Sequence, residues 1–390
     1  MLCEDVMSGY SMLGCYGEGN LGDEAILAGL KRLIRLSDEE ALFTIYIGTE
    51  SFATAYAEQT VLDHNLVKLK NWYGLFIKGK IFDIVKAMIK IDVLVIGGGE
   101  LIRDDFGIMP LLAITEKALM AKLFGNKLAL LGIGVGKLDT TMGRLLTKML
   151  INFSETVVVR DQGSQAILQE LVPMRKISVA RDVAFTLPSV RSVDLPGSSR
   201  VIAVSIRDWP SAWNSKTITK QDQVLLYKTF INELATVLKG LETQHAYSFV
   251  FIPFRIVEGD DDREALHEVI KLSGVLNYTM QEYSADPATV KASLAQCDLM
   301  IGMRLHACIL ALSEGIPTLA INYDNKVTKL MTDLALDEFI LDIFNADAAN
   351  FSKKIMDCLA IKREELTSKL LKQVKNTHEV YAHELRKLTR

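Results

Sequence analysis

Strand-like apolar runs alternate with amphipathic helical segments in both halves of the chain. This alternation is typical of parallel sheets covered by helices on both faces, so the sequence predicts an α/β fold of two Rossmann-like domains. The length agrees, because 390 residues exceed what one hydrophobic core usually organises. A composition that is 49% hydrophobic and 24% charged indicates a compact globular protein.

The first half begins with a short apolar stretch, a glycine-rich loop and a helix predicted over about Asp23 to Leu36. Its later predicted strands are Leu42–Ile47, Val93–Ile96, Leu128–Ile133 and Thr156–Val159. The predicted strands of the second half are Val201–Ile206, Tyr247–Phe254, Asp298–Ile301 and Thr318–Ile321. A charged amphipathic helix over Lys362 to Leu388 closes the chain and is long enough to pack back across the first domain.

Residues 186–200 concentrate proline, glycine and serine between the two periodic regions, which is typical of a linker. We therefore expect an N-terminal domain over residues 1–193 and a C-terminal domain over residues 199–360. The last helix then occupies residues 361–390.

Charge and cysteine content exclude several classes of protein. The net charge is −4 and the pI about 6.0, so a general electrostatic grip on nucleic acid or an anionic membrane is not expected. The five cysteines form no CxxC pair, which argues against a zinc site or a disulfide framework and fits a reducing cytosol. No apolar run approaches the ~20 residues of a membrane span. We expect a cytoplasmic protein that can still work at a membrane surface.

Cationic side chains follow the predicted strands of the second domain. Ligands bind at the carboxyl ends of the strands in open parallel sheets, so these positions matter most. The residues there are Arg207, Arg304, His306 and Lys326. Their convergence in an acidic chain predicts a site for a small, multiply charged anion. The alternative is that the cations are solvated or paired with Asp298 and Asp324, and that His306 is a core residue.

Arg304 and His306 are two residues apart, and such residues point to nearly opposite faces of a regular helix. Both can face one ligand only if they straddle the junction between a loop and a helix. At that junction the N–H groups of the helix would also point at the anion.

Glycine-rich loops follow strands of the first domain. One loop carries Gly19 and Asn20 ahead of Asp23 and Glu24, and it matches neither the Walker A nor the GxGxxG spacing. A tight turn capped by Asp23 is an equally good interpretation. Another loop, Gly97–Gly99, is hard to justify by packing alone because consecutive glycines are entropically costly, so we interpret it as a place where a ligand approaches the backbone.

Other candidates have simpler interpretations. The consecutive acids Asp260, Asp261 and Asp262 lie near a helix start, where we expect capping rather than metal binding. The remaining histidines lack metal-ligand spacing, so we expect no metal. We also expect no cofactor.

Several segments together resemble the polysaccharide pyruvyl transferase family: GEGNLGDEAIL, DVLVIGGGELIRDD, VVVRDQGSQAIL, VSIRDW, VFIPF and CDLMIGMRLHACILALSEGIPTLAINYDNKV. The resemblance covers the chain from about Tyr10 to Lys326. It implies a glycosyltransferase-B type fold with the active site in the interdomain cleft. The implied reaction moves a pyruvyl group from phosphoenolpyruvate onto a sugar of a cell-wall or exopolysaccharide precursor, usually as a cyclic ketal.

The resemblance also implies roles for individual residues. It makes Arg304 and His306 catalytic, with Arg207, Arg304 and Lys326 binding phosphoenolpyruvate. The implied acceptor side consists of the first-domain loops with Gly19, Asn20, Asp23, Glu24, Gly98 and Gly99. The sugar acceptor can be free or lipid-linked, and a lipid-linked one would bring the protein to the inner face of the cell membrane.

The chain departs from the family pattern after the triple glycine. A polar or small residue and then a glutamine–aspartate pair are expected there, whereas Glu100 and Arg103-Asp104 stand at those places. Two rival functions remain open: a nucleotide-sugar glycosyltransferase of the same fold, and a non-catalytic anion- or sugar-binding protein.

Overall fold

The structure is a computed structural model that describes residues 9–47, 64–68, 89, 91–189, 200–212 and 218–388. Residues 190–199 of the predicted linker lie outside these ranges. The chain divides into two compact units. The first comprises Met1–Glu18, Asp23–Leu187 and Gln373–Arg390, and the second comprises Gly19–Gly22 and Pro188–Lys372.

A parallel sheet organises the first unit. Its strands and helices in chain order are β1 Gly9–Leu13, α1 Leu21–Arg35, β2 Leu42–Ile47, β3 His64–Lys68, β4 Val93–Gly97, α2 Met109–Leu123, β5 Lys127–Ile133, α3 Thr141–Phe153, β6 Thr156–Val159, α4 Gln162–Leu171 and β7 Ser178–Val179. The strand order is β3-β2-β1-β4-β5-β6-β7. This is the doubly wound arrangement, and its order reverses between β1 and β4. The predicted strands are confirmed. Strand β3 escaped prediction because its sequence HNLVK is short and largely polar, and β7 because it spans only two residues.

Both faces of this sheet are buried, as a doubly wound sheet requires. Leu94 and Ile96 of β4 belong to one core cluster with helices α2, α3 and α4. Val93 and Val95 point to the opposite face and join a second cluster that includes α1 and the end of the chain. The alternation along β4 therefore separates two apolar layers.

The second unit repeats the plan. Its elements are β8 Val201–Ser205, α5 Trp209–Ala212, α6 Lys220–His245, β9 Ser248–Phe251, β10 Ile256–Val257, β11 Asp260–Asp261, α7 Asp262–Ser273, β12 Tyr278–Met280, α8 Pro287–Ala295, β13 Leu299–Gly302, α9 Leu305–Ser313, β14 Thr318–Asn322, α10 Asn325–Asp333, β15 Ile340–Asp342, α11 Ala348–Leu359 and α12 Arg363–Leu385. The parallel sheet has the order β12-β9-β8-β13-β14-β15, which reverses between β8 and β13. Strands β10 and β11 form a separate antiparallel hairpin.

The last part of α12 packs on the first unit. Tyr381 and Leu385 are buried in the same core cluster as α1. Glu384, which is also buried, accepts hydrogen bonds from the hydroxyls of Thr156 and Ser178, and Lys387 pairs with it at 2.5 Å. This confirms that the closing helix returns to the first domain. Among the described residues, no helix is long and apolar enough to cross a bilayer.

Replacing Glu384 by Gln tests this attachment. The buried Thr156 hydroxyl donates a hydrogen bond to Glu384. A neutral amide is a weaker acceptor for this hydroxyl than a carboxylate, and it does not form an ion pair with Lys387. We expect a loss of about 1–3 kcal/mol in unfolding free energy, measured as a lower urea midpoint. Glu379→Gln, at an exposed position of the same helix, is the matched control and should leave the midpoint unchanged. Equal midpoints for both variants would contradict this attachment.

Candidate functional site

The arginines predicted to bind an anion lie where the second sheet reverses its strand order. Strands β8 and β13 are paired neighbours, with Ser205 opposite Gly302. Arg207 follows β8, and Arg304 follows β13. The structure therefore brings both arginines to the edge at which doubly wound sheets bind ligands.

Arg304 and His306 straddle the start of α9. Arg304 is the N-cap residue with φ −78° and ψ 134°, which is extended backbone, and its side chain caps nothing. His306 is the second residue of the helix. The predicted junction is confirmed. Because the first N–H groups of a helix have no acceptor within it, this end of α9 presents donors beside both side chains.

Two carboxylates hold Arg304. Its Nη2 atom donates to Asp262 Oδ1 at 2.6 Å and to Asp260 Oδ1 at 2.8 Å. Its Nε atom lies 3.1 and 3.2 Å from the two oxygens of Asp262. The predicted alternative partner, Asp298, instead accepts from the backbone of Val201 at 2.8 Å.

The acidic run therefore has mixed roles. Asp261 is the N-cap of α7 and accepts from Arg263 N at 2.9 Å, which confirms capping for that residue. Capping was the wrong role for Asp260 and Asp262, which are counter-ions of Arg304. They escaped recognition because their contact with Arg304 depends on the β10–β11 hairpin folding back, which no local pattern indicates. Their position after strand β9, on the ligand-binding edge, was the available signal.

Asp262 is the fixed member of the pair. It is completely buried, and its Oδ2 accepts from the backbone N–H groups of Phe254 and Arg255, both at 3.0 Å. Burial raises the pKa of the Asp262 carboxyl, and the positive charge of Arg304 offsets part of that rise. Burial alone would lower the pKa of Arg304, but the two carboxylates raise it above the ordinary value. Arg304 is therefore a permanent cation held in one orientation.

Arg207 and Arg255 also contact Asp260. Arg207 Nη2 donates to Asp260 Oδ1 at 2.6 Å, and Arg255 Nε lies 2.9 Å from Asp260 Oδ2. Although burial opposes ionisation, the charges of Arg304, Arg207 and Arg255 lower the pKa of the Asp260 carboxyl. These contacts join three guanidinium groups to two carboxylates, those of Asp260 and Asp262. The cluster therefore carries one net positive charge, not counting Lys326.

An aromatic pair supports Arg207. Its Nη1 donates to the hydroxyl of Tyr323 at 3.0 Å, and its guanidinium lies 5.6 Å from the centre of that ring. Tyr323 in turn stacks on the fully buried Trp209, with ring centres 6.5 Å apart. This stacking fixes a guanidinium that would otherwise sample many rotamers.

Lys326 lies in the first turn of α10, after the strand next to β13. Asp324, the other predicted partner, caps this helix by accepting from Lys326 N at 3.2 Å. Lys326 is half-buried on the same edge of the sheet as the arginines.

The glycine loop groups with the second unit, although it leads out of the first sheet. Leu21 N donates to Phe254 O at 2.9 Å, and Ile256 N donates to Gly19 O at 3.0 Å. Asn20 forms an isolated bridge with Arg255. The loop thus runs beside the residues that hold the arginine cluster.

Gly22 makes room for His306. A Cβ atom on Gly22 would lie 2.1 Å from Nδ1 of His306, far inside van der Waals contact. Asn20 rather than Asp23 caps α1, accepting from Gly22 N at 3.2 Å, so the helix starts earlier than predicted. The glycine at position 22 is therefore required by the histidine ring, a contact invisible in the sequence.

Glu24 and the glycines at 97 and 98 have structural roles in the first unit. Glu24 is 4% exposed and accepts from Gly17 N at 2.9 Å, and burial raises its pKa well above the ordinary value. A Cβ on Gly97 would meet Leu30 at 2.3 Å, and one on Gly98 would meet Ile26 at 2.0 Å. Packing against α1 therefore explains two of the three consecutive glycines, contrary to our prediction.

Gly99 differs from its two neighbours. Its φ is +66°, and the nearest atom to a Cβ there is Asp23 Oδ1 at 3.7 Å. A left-handed conformation, rather than crowding, favours glycine at this position.

The residues that depart from the family pattern form local contacts. Arg103 pairs with Glu100 and Asp105, each at 2.5 Å. Asp104 is buried and accepts from Asp139 N and from both N and Oγ1 of Thr140. Burial by itself raises the pKa of the Asp104 carboxyl, but these hydrogen bonds outweigh it and lower the pKa below its ordinary value. Asp104 thus anchors the start of α3. In the described part of the chain, no cluster of histidine, cysteine and acidic residues could hold a metal ion.

Comparison with known proteins decides the family. A family model for polysaccharide pyruvyl transferase matches residues 20–325, which include the arginine cluster and His306. The chain belongs to this family. The resemblance stated from the sequence is confirmed.

A curated relative supports the same assignment. The amylovoran biosynthesis protein AmsJ of Erwinia amylovora is 23% identical over 270 residues. The match covers 63% of this chain and spans 60% of that protein's length.

Solved structures confirm the glycosyltransferase-B type fold. A UDP-GlcNAc 2-epimerase from Neisseria meningitidis bound to UDP-GlcNAc superimposes with a TM-score of 0.59 at 12% identity, covering 98% of this chain and 100% of that one. The epimerase from Methanocaldococcus jannaschii gives 0.59 at 13% identity, covering 92% and 94%. At these identities the likeness concerns the fold alone.

The stability of the cluster can be tested at Asp262. Asp262→Asn leaves Arg304 buried without its full counter-charge, so we expect a loss of about 3–5 kcal/mol in unfolding free energy, measured by urea denaturation. Asp261→Asn is the matched control, because asparagine is an equally good N-cap. If the two neighbouring variants were equally stable, the buried pair would not be what holds this site together.

A second test concerns Gly22, whose φ is not left-handed. In Gly22→Ala the ring of His306 must move by about 1 Å or more, because carbon contacts need roughly 3.5 Å. We expect transferase turnover to fall about 100-fold, since misplacements of this size have such effects. Gly240→Ala is the control, because nothing lies within 4 Å of a Cβ there. Normal turnover by Gly22→Ala would show that the position of His306 is unimportant.

Proposed function

We propose that this protein transfers a pyruvyl group from phosphoenolpyruvate to two hydroxyls of a sugar, forming a cyclic ketal and inorganic phosphate. One observation carries the proposal: Arg207 and Arg304 meet at the switch point of the second sheet, with His306 two residues after Arg304 at the start of a helix.

The donor fits the charge of this edge. Phosphoenolpyruvate carries a phosphate and a carboxylate on three carbons, so it needs several fixed cations close together. Arg304 and Arg207 are held by carboxylates and by Tyr323, and Lys326 lies on the same edge. Preorganised guanidinium groups bind such oxyanions in two-pronged fashion at low entropic cost.

His306 acts as the general acid in this proposal. It protonates the methylene carbon of phosphoenolpyruvate, which leaves an oxocarbenium-like centre at C2. A sugar hydroxyl adds to C2 and loses its proton. The C2–O bond to phosphate then breaks with its electron pair, and a second hydroxyl adds and loses its proton, which closes the ketal. The N–H groups at the start of α9 and Arg304 stabilise the negative charge on the leaving phosphate.

The first-domain loops are proposed to bind the acceptor. Gly19 and Gly99 have no side chain to keep a sugar away from the backbone, and Asn20 and Asp23 carry polar side chains suited to its hydroxyls. The buried residues Glu24 and Gly98 support the shape of these loops. Residues 1–193 would then serve the acceptor, and residues 199–360 the donor.

The acceptor is proposed to be a sugar of a cell-wall or exopolysaccharide precursor. The name of the relative AmsJ, an amylovoran biosynthesis protein, supports this class. A lipid-linked acceptor would bring the protein to the inner face of the membrane. The described cysteines form no disulfide, which fits the reducing cytoplasm: Cys15, Cys297, Cys308 and Cys358.

The direct test mixes the protein with phosphoenolpyruvate and a panel of free and lipid-linked hexoses and amino sugars. Phosphate release together with a pyruvate-sized mass gain on one sugar is expected. If no sugar supported release while a nucleotide sugar was consumed, the protein would be a glycosyltransferase.

The role of His306 has its own test. His306→Gln removes the proton donor but leaves the arginines in place, so donor affinity should stay within a few-fold. Turnover should fall about 10²–10⁴-fold, the usual contribution of general acid catalysis. His267→Gln, at an exposed position of α7, is the control and should be fully active. Full activity of His306→Gln would exclude the histidine as the acid.

A further inference from the structure

Asp260 occupies the centre of the proposed donor site. Its Oδ1 accepts from Arg207 at 2.6 Å and from Arg304 at 2.8 Å, and its Oδ2 lies 2.9 Å from Arg255 Nε. A carboxylate shared by converging guanidinium groups holds the position that an oxygen of a bound anion would take.

The two carboxylates of the cluster are held differently. Asp262 is completely buried and tied to backbone N–H groups, so it cannot leave. The side chain of Asp260 is 18% exposed, and its described contacts are with arginine side chains. It stands on the short β10–β11 hairpin, whose turn residues Glu258 and Gly259 are exposed.

We infer that Asp260 competes with the donor for Arg207 and Arg304: an anion binds these two arginines only by displacing the Asp260 carboxylate from them. This inference rests on the proposed function in taking phosphoenolpyruvate as the natural anion. Asp262 keeps Arg304 in position during the exchange, since it contacts Nε of the guanidinium as well as the Nη2 atom that Asp260 shares.

The exchange has two consequences. Displacing Asp260 breaks charge-assisted hydrogen bonds, so a small anion that replaces them one for one gains nothing. A ligand with phosphate and carboxylate reaches further cations, such as Lys326, and overcomes the competition. After transfer, the tethered carboxylate competes with the single phosphate product and favours its release.

Asp260→Asn separates this role from simple positioning, because asparagine has the same shape without the charge. Inorganic phosphate is titrated calorimetrically into the 390-residue chain, without phosphoenolpyruvate or sugar. Competition predicts that the variant binds phosphate about tenfold or more tightly, the equivalent of one charge-assisted hydrogen bond. Asp261→Asn, the neighbouring acid that pairs with Arg263, should bind phosphate as the wild type does.

Kinetics provide the second readout. In Asp260→Asn the KM for phosphoenolpyruvate and the inhibition constant for phosphate should both fall, while kcat falls or stays equal because phosphate leaves more slowly. Asp260→Glu, which retains the charge, should restore weak phosphate binding. Should Asp260→Asn not fold, Asp260→Ser carries the same expectations.

The outcomes are separable. Unchanged or weaker phosphate binding in Asp260→Asn would overturn the inference and leave Asp260 as a positioning residue only. Tighter phosphate binding without any turnover of phosphoenolpyruvate would support the competitor and count against the proposed function. If phosphoenolpyruvate were turned over but the variant and the wild type bound phosphate equally well, the proposed function would stand and the competitor role of Asp260 would be excluded.

Discussion

The site depends on one buried interaction, the pairing of Arg304 with Asp262. Arg304 stands at the end of a central strand, where its guanidinium is largely withdrawn from water. Such a cation is tolerated only when it is paired and hydrogen-bonded, and Asp262 provides this with both oxygens while its own burial is compensated by two backbone N–H groups. Removing either partner would leave a buried charge without its counter-ion. The same pair therefore fixes the geometry of the proposed anion site and stabilises this edge of the sheet.

In the proposed function, an acidic chain binds a polyanion. The net charge of −4 gives no long-range attraction, so selectivity must come from local geometry. Arginines fixed by Asp262 and Tyr323 need little reorganisation when a ligand arrives, and Asp260 keeps their charge balanced until then. The proposed exchange predicts that the arrangement favours anions with several attachment points over those with one.

Local patterns predicted most of the fold, because strand periodicity and helix amphipathicity depend only on residues that are close in sequence. They placed both sheets, the return of the last helix and the junction at Arg304. They missed β3, whose polar edge sequence lacks alternation. They also missed strands of two or three residues, which are too short to carry a period: β7, β10, β11, β12 and β15.

The missed features of the site share one cause. Asp260 and Asp262 reach Arg304, and Gly22 accommodates His306, through contacts between residues far apart in sequence. The glycines at 97 and 98 looked like a ligand loop because their packing partners on α1 are equally remote. Cations after strands could be recognised from the sequence, but the groups that neutralise and orient them required the tertiary structure.

The central claim is that this edge of the second sheet binds a compact polyanion rather than a nucleotide sugar. Calorimetric titration of phosphoenolpyruvate into the wild-type chain, with and without saturating UDP-N-acetylglucosamine, tests it most directly. We predict saturable binding of phosphoenolpyruvate that inorganic phosphate weakens and the nucleotide sugar leaves unchanged. Absence of phosphoenolpyruvate binding, or its displacement by the nucleotide sugar at the arginine cluster, would contradict the account.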